Sequence, residues 1–174
     1  MVYRALGDRL GAFVDVYSFT SLAEFLLKTF GGVCVPTMTD AARAVAVRRA
    51  LDVLGDEVQN YRRHRRSTGF CNLCAEAIKE LKAAGAQPED VLRVAGQGAD
   101  GEKLRELGLL FAAYETVIRD SAMDPADRLT VSAQRMDPLF LKDTEVFIDN
   151  FDGFTAPQYR LLEKLMHAQQ CTVA

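Results

Sequence analysis

Over most of this chain apolar residues recur at intervals of three and four, the period of a helix with one buried face. Thr39-Asp40 opens a stretch in which Ala44, Val47, Leu51 and Leu54 share a face, and Gly55 ends it. Phe70, Leu73, Cys74, Ala77, Ile78 and Leu81 fall on a second stripe, predicted to be buried as a unit and to stop at Gly85. Pro88-Glu89-Asp90 opens a short third helix, with proline at its first turn. Gly96 to Gly101 reads as a flexible loop. After it Leu104, Leu107, Phe111, Tyr114 and Ile118 line a long helix, and Asp124-Pro125 starts a shorter one.

The two ends differ. Val2 to Leu10 looks like the end of a helix stopped by Gly11, with no N-cap and no strand before it, so the chain is expected to start inside a domain. Ala12 to Phe19, rich in β-branched and aromatic residues, predicts a short strand. Thr20 or Ser21 then caps a helix carrying Leu22, Phe25, Leu26 and Phe30, with Glu24 at capping-box spacing and Gly31-Gly32 closing it. Near the other end, Glu145-Val-Phe-Ile-Asp149 predicts an apolar strand tipped by an acid. A loop from Phe151 to Thr155 follows, then a helix from Pro157 to Gln169 through Tyr159, Leu162, Leu165 and Met166, then a strand cut short at Cys171 to Ala174.

The order strand-helix, helical excursion, strand-helix-strand predicts an α/β fold, predominantly helical, with a partial parallel sheet and a large all-α insertion. Residues 1–32 and 139–174 form the α/β part and residues 33–138 the insertion. The structural premise is that the acid-tipped strand lies beside the early aromatic strand in one parallel sheet.

Composition adds limits. At 174 residues, 49% hydrophobic and 26% charged, the chain suits one ordered domain with a real core. The net charge of -3 and pI near 5.4 do not announce a nucleic-acid binder. Tyr61-Arg-Arg-His-Arg-Arg66 is the one dense basic cluster, and Arg62, Arg63, Arg65 and Arg66 have two readings: a grip on a phosphate backbone, or a solvated turn between helices. No apolar stretch reaches the roughly 20 residues of a membrane span, and the start lacks the pattern of a secretory signal. A cytoplasmic location is the expectation.

Four cysteines, Cys34, Cys71, Cys74 and Cys171, are too few and uneven for a disulfide framework. Cys71 and Cys74 form Cys-x-x-Cys without a second pair, and His64 is poorly placed to complete a zinc site, so small buried thiols are the expectation. His167 is expected to meet the carbonyl end of its helix. No Ser-His-Asp or Cys-His arrangement can be argued around the two histidines.

Asp149 is the residue with a chemical reading. A carboxylate at the end of a parallel strand is where nucleotide-binding α/β proteins hold magnesium, although such a residue also serves as a plain loop cap. In P-loop ATPases the next position is commonly Glu, which activates water; here it is Asn150, an amide that accepts no proton at neutral pH. No Gly-x-x-x-x-Gly-Lys-Ser/Thr stretch is present to cradle phosphates.

Val146-Phe-Ile-Asp-Asn-Phe-Asp-Gly-Phe-Thr155, with Pro157-Gln158 after it, closely resembles the motif II region of the AddB (RexB) subunit of bacterial AddAB-type helicase-nucleases. Asp149, Phe151 and Asp152 match the helicase pattern Asp-Glu-Phe-Gln-Asp-Thr; Asn150 and Gly153 depart from it. Val16-Tyr-Ser-Phe-Thr-Ser-Leu-Ala23 resembles the family's strand-to-helix junction, with Ser21 at an arginine position and Glu24 at a common tryptophan position. Arg48-Arg49-Ala50-Leu51, Arg65-Arg66-Ser-Thr-Gly-Phe70, Ala84-Gly85 and Pro88-Glu89-Asp90 resemble further family blocks.

This resemblance implies a fragment of a superfamily 1 helicase-like (RecA-like) subdomain with its helical insertion. It implies a non-catalytic piece of an enzyme that processes double-strand DNA breaks for recombinational repair and, in its helicase-like half, scans for Chi. The A subunit of the helicase-nuclease complex (AddA) and single- or double-stranded DNA ends are the implied partners, with self-association open through truncated sheet edges. ATP with magnesium and an iron-sulfur cluster would belong to the parent, outside this region; no cofactor is expected here. The vestigial nucleotide site would be Asp149, Asn150, Asp152 and Gln158. DNA-facing residues would be Ser18, Phe19, Thr20 and Ser21, beside the four arginines. The alternative is a small helical module with no DNA role, which binds protein through the exposed faces of its insertion helices; a working ATPase would be stabilised by nucleotide, and no such effect is expected.

Overall fold

The computed structural model describes residues 13–31, 37–96, 98–119 and 124–174. Eight α-helices and two strands lie among them, with 3-10 turns at Gly55–Glu57 and Pro138–Leu141: α1 (Phe19–Thr29), α2 (Asp40–Leu54), α3 (Gln59–Arg62), α4 (Thr68–Ala83), α5 (Pro88–Val94), α6 (Ala99–Ile118), α7 (Pro125–Arg135), β1 (Glu145–Ile148), α8 (Ala156–Leu165) and β2 (Gln170–Val173). The expected helix at Val2–Leu10 lies outside the described residues. Side-chain oxygens start most of the long helices: Thr39, Ser67 and Asp124 accept from the amides of Ala42, Phe70 and Ala126, and Thr155 forms a reciprocal capping box with Gln158.

The helices gather around two apolar cores. In the first, α2 packs on α4 and α6, and α5 on α6, burying Val47, Ala50, Leu51, Ile78, Leu110, Phe111 and Tyr114. In the second, α7 packs between α1 and α8, and the cluster that also takes in Ile148 of β1 buries Leu26, Ala133, Met136, Leu161, Leu162 and Leu165. The fold is therefore mostly helical with a small parallel sheet. β1 and β2 pair in register from Glu145↔Gln170 to Ile148↔Val173.

The early strand does not form. Residues 14–18 are without strand structure, and β1 takes β2 as its neighbour, so the expected pairing with the aromatic segment is overturned. Aromatic and β-branched residues fit a pleated, half-covered surface rather than enforcing a strand. Here Phe13 and Val16 point to solvent, Tyr17 stacks on Phe25 at 5.2 Å, and the backbone is extended into the helix cap.

That cap is Ser18, not Thr20 or Ser21: the Ser21 amide donates to Ser18 Oγ, and Ser21 Oγ accepts from the Ser18 amide. Glu24, one turn on, faces Arg128 instead. Gly98, at φ 98°, precedes a helix that already includes Gly101, so the expected loop is shorter. On α4 the buried stripe is Cys71, Cys74, Ala75, Ile78 and Lys82. At 100° per residue Leu73 lies on the opposite side, and it is exposed. The last helix ends at Leu165 rather than Gln169; Leu161, Leu162 and Leu165 face inward while Tyr159 and Met166 face out.

The two cores meet at a polar seam. Lys82 Nζ, buried, donates to Glu115 Oε1 at 2.5 Å and to Asp127 Oδ2 at 2.7 Å, tying α4 and α6 to α7. Burial alone would lower the Lys82 pKa, but Asp127 and Glu115 outweigh it and hold the ammonium above its ordinary value. Arg43 pairs with Asp124 at 3.1 Å and also with Asp40, and the Tyr114 hydroxyl lies 3.4 Å from the same Asp124 oxygen. At the edge of the seam Gly85 has φ +79°, and a β-carbon there would stand 2.8 Å from Ala156 Cβ; only glycine satisfies both demands.

Candidate functional site

The C-terminal end of β1 leads straight into the candidate site. Ile148 is the last buried residue of the strand, its carbonyl accepting from the Ala174 amide at 2.9 Å, and Asp149 then emerges exposed. Asn150 has φ 65°, in the left-handed region that asparagine tolerates better than glutamate. The backbone thus supplies its own reason for an amide at this position. Asp152 is exposed, and among the described residues neither Asp149 nor Asp152 makes an ion pair. Gln158 is engaged otherwise: its Oε1 accepts from the Thr155 amide at 2.7 Å, closing the cap of α8.

The loop after β1 is joined to the start of α1 through aromatic rings. Phe19 meets Phe151 edge-on at 5.1 Å and Phe154 at 5.9 Å; Phe151 and Phe154 lie 5.4 Å apart, and Tyr159 extends the group at 5.5 Å from Phe154. Two predicted segments more than a hundred residues apart in sequence therefore share one surface, with Phe151 and Tyr159 partly open to solvent. Ser18 and Ser21 spend their hydroxyls on each other and on the cap, and Thr20 faces outward. The sequence pattern alone makes Phe151 to Thr155 only a loop; the spacing Phe151-x-x-Phe154 with Tyr159 one helical turn into α8 is the signal that could have found the aromatic group.

The arginine cluster belongs to the first core and is not brought to this surface. Arg62 and Arg63 end α3, and Arg65 and Arg66 lead into the Ser67 cap of α4. Arg62 is paired with Asp56, and Arg65 Nε lies 3.5 Å from Asp52 Oδ1. Among the described residues Arg63 and Arg66 make no ion pair and are exposed. The four arginines, with Asp56 and Gln59, line an open depression of about 530 Å³. Tyr61 and His64 pack their rings on Phe70 at 5.4 and 5.2 Å, holding the turn against the core.

Beneath this turn lies a residue the sequence reading passed over. Glu106 of α6 is buried, and its carboxylate accepts from the Asn60 amide at 3.1 Å, Asn60 Nδ2 at 3.0 Å and the Tyr61 amide at 2.9 Å. Its position four residues before Leu110 and eight before Tyr114 puts it on their buried face, which periodicity could have revealed.

Among the described residues, the donor sets at the candidate site do not fit the cofactors that the resemblance implies. Asp149 and Asp152 are acids without a phosphate cradle, and neither loop offers a lysine to a triphosphate. Cys71 and Cys74 face the first core while Cys171 sits in β2 of the second. Burial pushes the Cys74 thiol up to about 12, which keeps it protonated and unreactive in the core. Among the described residues no group of three or more His, Cys, Asp or Glu is placed to hold a metal ion, and no helix is long and apolar enough to cross a membrane.

Residues 4–174 match the protein family described as ADDB, N-terminal. Similar curated proteins share one name, that of the B subunit of an ATP-dependent helicase/deoxyribonuclease. The protein from Heliobacterium modesticaldum is 32% identical, covering 88% of this chain and 13% of the relative. The one from Moorella thermoacetica is 30% identical, covering 99% and 16%, and the one from Bacillus subtilis 29% identical, covering 91% and 14%. The chain thus spans about one-seventh of the length of the relatives it matches.

Proposed function

This chain belongs to the AddB N-terminal family, and on that footing we propose that it is a non-catalytic, DNA-facing stretch of the B subunit of an ATP-dependent helicase/deoxyribonuclease. In this reading the parent processes double-strand DNA ends for recombinational repair, working in the cytoplasm with AddA. The stretch contributes part of a RecA-like layer, residues 1–32 and 139–174, and a helical insertion, residues 33–138. The helix α7 near the end of that insertion clamps it to the layer by packing on α1 and α8.

The early strand pairing on which the kinship is expected to hang fails; the kinship stands instead on the match across residues 4–174. The observation carrying the DNA-facing role is the contact of Phe19 with Phe151 and Phe154. It makes one surface of the α1 start and the loop at the end of β1, the edge where open α/β sheets take ligands. Exposed rings suit stacking on unpaired bases, which is sequence-tolerant, while Arg62, Arg63, Arg65 and Arg66 suit phosphates. Asp149, Asn150, Asp152 and Gln158 are then remnants of a nucleotide site: Asn150 cannot act as a base and Gln158 serves as a helix cap.

Fluorescence anisotropy of a labelled single-stranded oligonucleotide with the full 174-residue chain tests this. Binding that weakens steeply between low and moderate salt is expected, along with a loss of about fivefold or more on Phe151→Ala, the scale of one lost base stack. Salt-independent or absent binding overturns the reading. Exposed Val45, Val53 and Leu73 on α2 and α4 favour a second reading, protein docking through the helical lobe without DNA binding; it predicts no salt-dependent oligonucleotide binding, and charged substitutions there that disturb docking to a protein partner.

A further inference from the structure

The arginine-rich turn is held by something other than itself. Helix α3 has four residues, too few to be stable from its own hydrogen bonds. Its N-cap is Val58, fully buried and without a side-chain acceptor, so the first amides of the helix would be left unpaired in a half-covered environment.

Glu106, reaching over from α6, supplies what Val58 cannot. One carboxylate oxygen takes both the amide and the side-chain nitrogen of Asn60, and the other takes the amide of Tyr61. Other buried charges, Arg43, Lys82 and Asp124, each have an oppositely charged partner. Among the described residues Glu106 has none; three N–H donors balance it. Downstream the backbone bonds run link to link: His64 N to Tyr61 O at 3.0 Å, Arg65 N to Arg62 O at 3.2 Å, and Ser67 N to His64 O at 2.8 Å. A displacement at Tyr61 is passed along this series to the arginines.

We infer that Glu106 is the positioning residue of the Arg62–Arg66 turn, fixing from the core the direction in which its guanidinium groups meet a polyanionic backbone. The inference rests on the phosphate-facing reading of the arginines proposed above. Glu106 touches no ligand; it acts through Asn60 and Tyr61.

The test compares the wild-type chain, Glu106→Gln and the double variant Arg63→Glu/Arg66→Glu. A labelled single-stranded oligonucleotide is titrated over a salt series, with amide hydrogen exchange measured in parallel. Glutamine keeps the shape but replaces one acceptor by a donor, which faces another donor. Glu106→Gln is expected to weaken binding about fivefold, to flatten the dependence of affinity on salt, and to raise exchange from Tyr61 to Ser67 while α2 and α6 stay protected. Loss of global stability alone would not flatten the salt dependence of the folded fraction. If the arginine variant weakens binding while Glu106→Gln matches wild type in affinity and salt dependence, the positioning role is overturned. If the arginine variant itself changes nothing, the phosphate-facing reading falls and takes the inference with it. Should Glu106→Gln fail to fold, Asn60→Ala removes a single donor; unchanged salt dependence there, with a weakened arginine variant, likewise overturns the inference.

Discussion

The first core is closed on itself, whereas the second is open on one side. Around α2, α4 and α6 the large side chains are sealed: Leu51, Leu110 and Tyr114 have no exposed surface. Around β1 and β2, Val146 and Ile148 turn inward, but Phe147 is 68% exposed and pairs with exposed Thr172 on the outer face. Parallel sheets are ordinarily covered on both faces. The contrast is one of coverage: the helical lobe seals its largest side chains, and the sheet-bearing lobe leaves one face of its strands open.

Truncations should break that contrast first if it is wrong. Phe111→Ala is expected to cost about 3–5 kcal/mol, as removal of a fully buried ring does, and Phe147→Ala no more than about 0.5 kcal/mol, both read from urea unfolding of the full chain. Equal losses would mean that the outer sheet face is packed in solution.

Alkaline pH should act on the closed core next. The Cys74 thiol is held near 12 by burial against an ordinary 9.0, and burial beside Asp124 raises the Tyr114 hydroxyl as well. Both groups keep their protons longer folded than unfolded. Each stabilising contribution is therefore complete below the group's unfolded value, 9.0 for the thiol and 10.0 for the phenol, and falls above it by about 1.4 kcal/mol per pH unit until the folded value is reached. Cys74→Ala should flatten the alkaline limb of a stability-against-pH curve; an unchanged limb would show that the thiol is accessible.

Lys82→Ala sharpens the comparison at the seam. It leaves Glu115 and Asp127 facing each other without their ammonium, and since both carboxylates are about one-third exposed the loss is expected at about 1–3 kcal/mol. Hydrogen exchange should rise in α7 more than in α2. The smallest effect belongs to the open lobe: Asn150→Val, which forces a β-branched residue to φ 65°, should cost about 1–2 kcal/mol, while Asn150→Gly should be near neutral by thermal melting.

Helices are legible in the sequence because period and caps agree locally, as at Thr39, Pro88 and Asp124. The early strand is not, because strand character depends on a neighbour, and residues 14–18 find none among the described residues. Side-chain facing fails where an apolar residue lies off the stripe, as with Leu73, Tyr159 and Met166, since hydrophobicity alone does not fix angle. Of the candidate site, the identities of Asp149 and the arginines could be read. That Phe19 meets Phe151, that Gln158 caps α8 and that Glu106 lies under the turn are facts of tertiary packing.

The corner at Gly85 limits how such proteins can diverge. Because α4 ends within contact distance of the first residue of α8, an inserted residue there would act as a wedge and tilt one half of the molecule against the other. Insertions should therefore be rejected at this corner, with a lowered melting temperature as the sign.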